Sequence, residues 1–168
     1  QGIIVPHINT REDADAVARA ARYYPEGHRG VGGGRAHDYG VGTTRDESTA
    51  WINSNTLVIP MIEETEAVEN LDAILGVPGV DVLHAAAGDL WQSMGNPGPA
   101  DVRRLMGQVV PKIRAGGINV GVGGNNPADA AGIAEFIKLG ANFVTVSAQG
   151  LQRLGAEDFL RRVDAELT

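Results

Sequence analysis

Short, nearly continuous apolar runs recur along the chain, separated by longer segments whose apolar residues keep helical spacing. Residues 2–8, 57–63, 80–86, 118–122 and 142–147 are the runs. Such runs predict parallel strands covered on both faces, because a half-exposed strand would alternate apolar with polar positions. A sixth, weaker strand is expected at 28–35, opening into a glycine-rich turn. Between the runs, Ala14, Val17, Ala18 and Ala21 form one stripe of a helix over about 11–23, with Asn9 or Thr10 as its cap. Ala67, Val68, Leu71, Ile74 and Leu75 do the same over 65–75. Further helices are expected at about 47–53, 100–115 and 127–139, the last capped by Asn126, with one or two more after residue 147. Residues 88–99, rich in turn formers, read as a loop.

Strand and helix alternate without a linker, which predicts a single α/β domain over 1–168 with a parallel sheet. Two architectures satisfy that order: an open doubly wound sheet, or the later strands and helices of a (β/α)8 TIM barrel that is incomplete here. A whole barrel typically needs about 250 residues, and this chain has 168.

Composition narrows the range of partners. A formal net charge of −7, without a basic cluster, argues against nucleic acid or an anionic membrane. With no cysteine there is neither disulfide nor thiol chemistry, which leans towards the cytoplasm. No leader peptide or long apolar span is visible. The only lysines, Lys112 and Lys138, fall in expected helices, so a Schiff-base amine aimed into a pocket is not expected.

Candidate chemistry gathers where two of the strands end in acids. Glu63 closes the run at 57–62 and Asp89 follows the run at 80–86. Carboxyl ends of parallel strands are where α/β folds carry their sites. Two hard oxygen donors on neighbouring tips suit a divalent cation that keeps positions for substrate oxygens; alternatively, each acid caps the helix that follows it. Glycines at 30 and 32–34, flanked by Arg29 and Arg35, could hold an anion by backbone N–H groups and a guanidinium, or form a plain turn. Gly121 to Asn126 offers the same choice. His7 and His84 lie in or beside strands and read first as packed, hydrogen-bonded histidines rather than as general bases.

Several stretches together resemble the HpcH/HpaI aldolase family, metal-dependent pyruvate aldolases of the phosphoenolpyruvate/pyruvate barrel superfamily. They are Val5-Pro6-His7 before an alanine-rich helix, residues 20–32 with Tyr24-Pro25-Glu26-Gly27 and Arg29-Gly30-Val31-Gly32, Ile62-Glu63-Glu64 before Ala67-Val68-Glu69-Asn70-Leu71, and Gly79-Val80-Asp81 leading to Gly88-Asp89-Leu90. The resemblance implies a TIM barrel of which this chain is the C-terminal portion. It implies Glu63 and Asp89 as ligands of Mg²⁺, Mn²⁺ or Co²⁺, and Gly33, Gly88 and Arg35 around the pyruvate carboxylate. The implied activity is cleavage or formation of 4-hydroxy-2-oxo acids through a metal-stabilised pyruvate enolate, with pyruvate and an aldehyde as small-molecule partners. The family's acid/base histidine and its substrate arginine come from earlier strands with no counterpart here. Ala86-Ala87-Gly88-Asp89 also departs from the family's usual Gly-Pro-Ala-Asp. Assembly as a homo-oligomer, or with a companion N-terminal segment, is expected. Competing readings are an acyl-CoA lyase of the citrate/malyl-CoA branch, a non-catalytic barrel fragment, and a phosphate-binding isomerase using Gly121 to Asn126.

Overall fold

The apolar runs become five parallel strands that hydrogen-bond in chain order: β1 (Gly2–Val5), β2 (Leu57–Ile62), β3 (Val82–Ala86), β4 (Asn119–Asn125) and β5 (Phe143–Val146). The computed structural model describes residues 1–167. Helices α1 (Arg11–Ala21), α2 (Arg45–Ser54), α3 (Thr65–Glu69), α4 (Leu71–Leu75), α5 (Ala87–Ser93), α6 (Pro99–Ala115), α7 (Ala130–Lys138) and α8 (Ala148–Leu167) follow the strands. The result is a curled half-barrel, α/β throughout, as the alternation predicts.

Register decides which side chains reach the helices and which face the concave side. Ile62, Leu83, Ala85, Val120 and Val122 point outwards and pack with Ala14, Ala18, Leu71, Ile74, Met106, Val110 and Ile113 into one core. Each large member of that layer contributes about 1.5–3 kcal/mol by leaving water. The alternate positions, Met61, His84, Gly121 and Gly123, face the other way, into the barrel interior. At the sheet edges, Ile3 and Ile4 on β1 and Val144 and Val146 on β5 stay partly exposed. Helix α8 buries no residue and displays Leu151, Phe159, Leu160 and Leu167.

Arg22 closes the amino end of the half-barrel. Its guanidinium donates to the carbonyls of Asn53 and Thr56 (the latter at 2.7 Å) and, at 2.7 Å, to Asp81 Oδ2. Asp81 Oδ2 in turn accepts the Val58 N–H at 2.7 Å. One buried cation thus ties the end of α1 to the starts of β2 and β3.

Four expectations about elements change. Residues 28–35 form no strand: their glycines lack side chains to bury, and the segment runs exposed into a 3₁₀ turn, Arg35–Gly40, with Asp38 and Tyr39 at positive φ. The first strand stops at Val5, because Pro6 has no N–H for the ladder and His7 turns left-handed at φ +57°. The helix at 65–75 is two helices broken at Asn70, whose amide donates to the Asn9 carbonyl at 2.9 Å. Residues 88–99 are not all loop, since α5 begins directly on the end of β3. Boundaries move elsewhere too. Thr10, of the two candidates, caps α1 in a capping box with Asp13, and α7 starts at Ala130 under Asp129 rather than Asn126.

Candidate active site at the strand tips

Glu63 sits one residue beyond β2, and Asp89 lies in the first turn of α5, three residues beyond β3. The tips of adjacent strands therefore hold both acids, as their spacing predicts. Their environments differ. Asp89 is exposed, with its charge at the favourable end of α5. Glu63 is only 2% exposed and accepts one hydrogen bond, from the backbone N–H of His7 at 2.8 Å. Among the described residues it meets no lysine or arginine; its one ionic neighbour is the His7 ring, Nδ1 lying 3.6 Å from Oε1.

The left-handed turn at His7 aims that N–H at Glu63. The imidazole then folds over to Glu64, donating from Nδ1 to Oε1 at 2.8 Å. The other oxygen of Glu64 accepts from Asn9 Nδ2 at 3.0 Å, and the Asn9 N–H reaches Asp13 Oδ2. The capping box of α1 is thereby linked to the acid pair. The hydrogen bond to Glu64, then the charge of Glu63 and, more weakly, those of Glu64 and Asp89, raise the proton affinity of His7 above the ordinary imidazole range. The same bond to His7 keeps the Glu64 carboxyl below its usual range. The sequence left His7 and Glu64 outside the site. The signal was there in Pro6-His7 closing a strand and in the doublet Glu63-Glu64.

Gly88 stands beside Asp89, and the space where a side chain would project from it is open. A Cβ on Gly124, at φ +70°, would stand 3.4 Å from the Gly88 nitrogen, so β4 runs close beside the turn that carries Asp89. One layer deeper, the His84 ring fills the space over Gly121 and Gly123. A Cβ at either glycine would stand 2.2 Å from a ring nitrogen. These glycines make room for an imidazole, which accounts for them without a bound anion. Burial holds His84 neutral by lowering its pKa.

Gly33 and Arg35 do not join this cluster. Arg35 lines a cleft of about 940 Å³ with Gln1, Asp38, Glu47, Ser48 and Trp51, at the amino ends of the strands. Gly33 lies next to it, in a smaller cleft with His37 and Ser48. The tips lie six residues along β2 from that end, roughly 20 Å at about 3.3 Å per residue. The physical reason is the path of α1, which carries the chain back from the tips to the amino end, where the turn at 35–40 is then fastened. Ser48 donates to the Arg45 carbonyl and accepts from His37 Nδ1 at 2.8 Å, and His37 Nε2 accepts from the Tyr23 hydroxyl at 3.1 Å.

This arrangement of acids on successive parallel tips coincides with a family match over residues 1–156, described as HpcH/HpaI aldolase/citrate lyase. The chain belongs to that family. It is 38% identical over 147 residues to the 2-keto-3-deoxy-L-rhamnonate aldolase of Klebsiella pneumoniae, covering 86% of this chain and 54% of that protein. An enzyme of the same name from Salmonella typhi is 36% identical over 149 residues. Among solved structures, an HpcH/HpaI aldolase/citrate lyase family protein from Burkholderia cenocepacia superposes with a TM-score of 0.82 at 28% identity, over 97% of this chain and 65% of that one. The HpcH/HpaI aldolase of Desulfitobacterium hafniense gives 0.79 at 27%, over 95% and 62%. The chain spans about half the length of the curated relatives it matches.

Among the described residues no three His, Asp or Glu side chains form a ready-made metal cage. The donors nevertheless fit a hard divalent cation. Glu63 is a buried carboxylate with a single neutral hydrogen-bond donor, a costly state that a cation would relieve. Two carboxylates also leave the remaining coordination positions to water and substrate, the usual arrangement for Mg²⁺.

Proposed function

We propose that this chain is the C-terminal portion of a divalent-metal-dependent pyruvate aldolase that cleaves or forms 4-hydroxy-2-oxo acids. Glu63 and Asp89 are the protein ligands, and Mg²⁺, Mn²⁺ or Co²⁺ the cofactor. The observation that carries the reading is the buried Glu63 carboxylate at the tip of β2, which meets no lysine or arginine among the described residues, beside Asp89 at the tip of β3. A cation there supplies Lewis-acid polarisation of a 2-oxo group.

The chain's own residues prepare that site. The His7 N–H holds one oxygen of Glu63 and so orients the carboxylate. The open space above Gly88 admits a keto-acid carboxylate next to Asp89. Helix packing behind Ile62, Leu83 and Ala85 keeps water from the outer side of the tips. The proton-transfer group and the arginine for the oxo group belong to strands outside this chain. Gly33 and Arg35, at the opposite end, are not assigned to pyruvate in this reading.

Curated relatives that are 2-keto-3-deoxy-L-rhamnonate aldolases support an aldolase over an acyl-CoA lyase. The exposed strands β1 and β5 and the apolar side of α8 support assembly with a companion segment or further copies. No described helix is long and apolar enough to cross a membrane, and we assign the protein to the cytoplasm. The test is pyruvate release from a 4-hydroxy-2-oxo acid by the protein that carries this chain, coupled to lactate dehydrogenase, with and without Mn²⁺. Release that needs Mn²⁺ and vanishes in Glu63→Gln supports the reading; release indifferent to chelator refutes it.

A further inference from the structure

His7 is built into the tip cluster more elaborately than a surface histidine requires. Its backbone takes the left-handed conformation, φ +57°, which is strained for a non-glycine residue and persists only where surrounding contacts enforce it. Two contacts do so here, the N–H on Glu63 and ring Nδ1 on Glu64. With Nδ1 committed to a carboxylate, the ring is fixed in orientation, and its other nitrogen, Nε2, is left for an outside partner. The ring remains 70% exposed.

Strand order says what that partner meets first. Glu63 on β2 lies between Asp89, beyond β3, and His7, beyond β1. A keto acid anchored between Glu63 and Asp89 therefore has the imidazole on the far side of Glu63, within 3.6 Å of the carboxylate. A second reactant that approaches over β1 passes it.

We propose that His7 selects the aldehyde, its Nε2 hydrogen-bonding a hydroxyl on the carbon next to the aldehyde group, so that hydroxyaldehydes are preferred over alkyl aldehydes. The inference rests on the pyruvate aldolase reading above. It does not depend on the protonation state of the ring: a neutral Nε2 accepts from a hydroxyl, and a protonated one donates to it.

The matched pair glycolaldehyde and acetaldehyde tests it, each condensed with pyruvate by the full protein with Mn²⁺. His7→Gly removes the ring while keeping the N–H and the left-handed turn. It should lower kcat/KM about ten-fold more for glycolaldehyde than for acetaldehyde, the size of one hydrogen bond. His7→Asn, which tolerates the same turn and restores a polar group, should recover part of that ratio. Independently of turnover, with Mg²⁺ and oxalate bound as a non-reacting stand-in for the keto acid, glycolaldehyde should shift the His7 Nε2 resonance and acetaldehyde should not. Equal losses for the two aldehydes, or an unmoved resonance, overturn the assignment. Turnover of acetaldehyde by the wild type then leaves the aldolase reading standing. Absence of turnover with either aldehyde refutes that reading, and the inference with it.

Discussion

Adding one methyl group at Gly121 should destabilise the protein through a single side chain, His84. The Cβ of an alanine there would stand 2.2 Å from His84 Nδ1 and 3.0 Å from Cγ, far inside contact distance. The ring has little room to retreat, with the Phe143 edge 5.7 Å away between centroids and Thr145 Oγ1 at 3.4 Å from Nε2. Overpacking of this kind costs about 3 kcal/mol. His84→Ala alone should cost about 1–2 kcal/mol, because loss of buried volume is partly offset by removing Nδ1, which is buried with no hydrogen-bond partner among the described residues. In that background the added methyl enters vacated space. It still meets the Cα of residue 84, at 3.1 Å, but no ring, and gains about 0.5 kcal/mol from replacing a strand glycine. The double variant should therefore be about as stable as His84→Ala, a coupling of about 3 kcal/mol. At about 2–4 °C per kcal/mol, Gly121→Ala should lower Tm by roughly 6–12 °C in the wild type and by almost nothing without His84. Urea melts of the four proteins measure the cycle. Additive losses would show that the glycines of β4 are not there to house the imidazole.

Other outcomes follow from the same contacts. Arg22→Met removes the cation shared by Asn53, Thr56 and Asp81 and should cost about 3 kcal/mol in urea melts, since Asp81 and two carbonyls lose their partner at once. Metal-free Glu63→Gln should be about 1 kcal/mol more stable than metal-free wild type, because an amide keeps the acceptor for the His7 N–H and removes the buried charge, while its calorimetric Mn²⁺ affinity falls at least ten-fold. The bond from Thr10 lowers the Asp13 carboxyl below its usual 3.8, so its stabilisation is present above pH 3.8 and lost as pH falls through the native value; Thr10→Ala should flatten that acid limb. Burial lowers His84 from 6.5, so stability that is full above pH 6.5 should decline as pH falls towards the native value, and should decline less in His84→Ala.

What could be read in the chain was what depends on local pattern. Leu57 to Ile62 and Val82 to Ala86 are buried almost throughout and announce themselves as apolar runs, so the strands and the two tip acids follow. The helix over 11–21 was legible for the same reason, from Ala14, Ala18 and Ala21 on one stripe. Residues 28–35 misled because glycine-rich sequence says only that the backbone is free. Where that freedom is used depends on the Tyr23–His37–Ser48 contacts, which link residues 11 to 25 positions apart.

Gly33 and Arg35 were put forward by the glycine-rich run with its flanking arginines and by resemblance, and the fold sets them at the amino ends of the strands, away from the tips. Parallel strands need a return path, and the segment between α1 and β2 sets Arg35, Asp38, Glu47 and Trp51 beside Gln1 at the amino end. His7 shows the converse. Two positions beyond a short strand, it looked like part of that strand, yet Pro6 ends the ladder there and frees the next residue to turn. That turn converts an ordinary backbone N–H into the one hydrogen bond that orients a buried carboxylate. The functional weight of the site therefore rests on a conformation, and residue identity alone does not encode it.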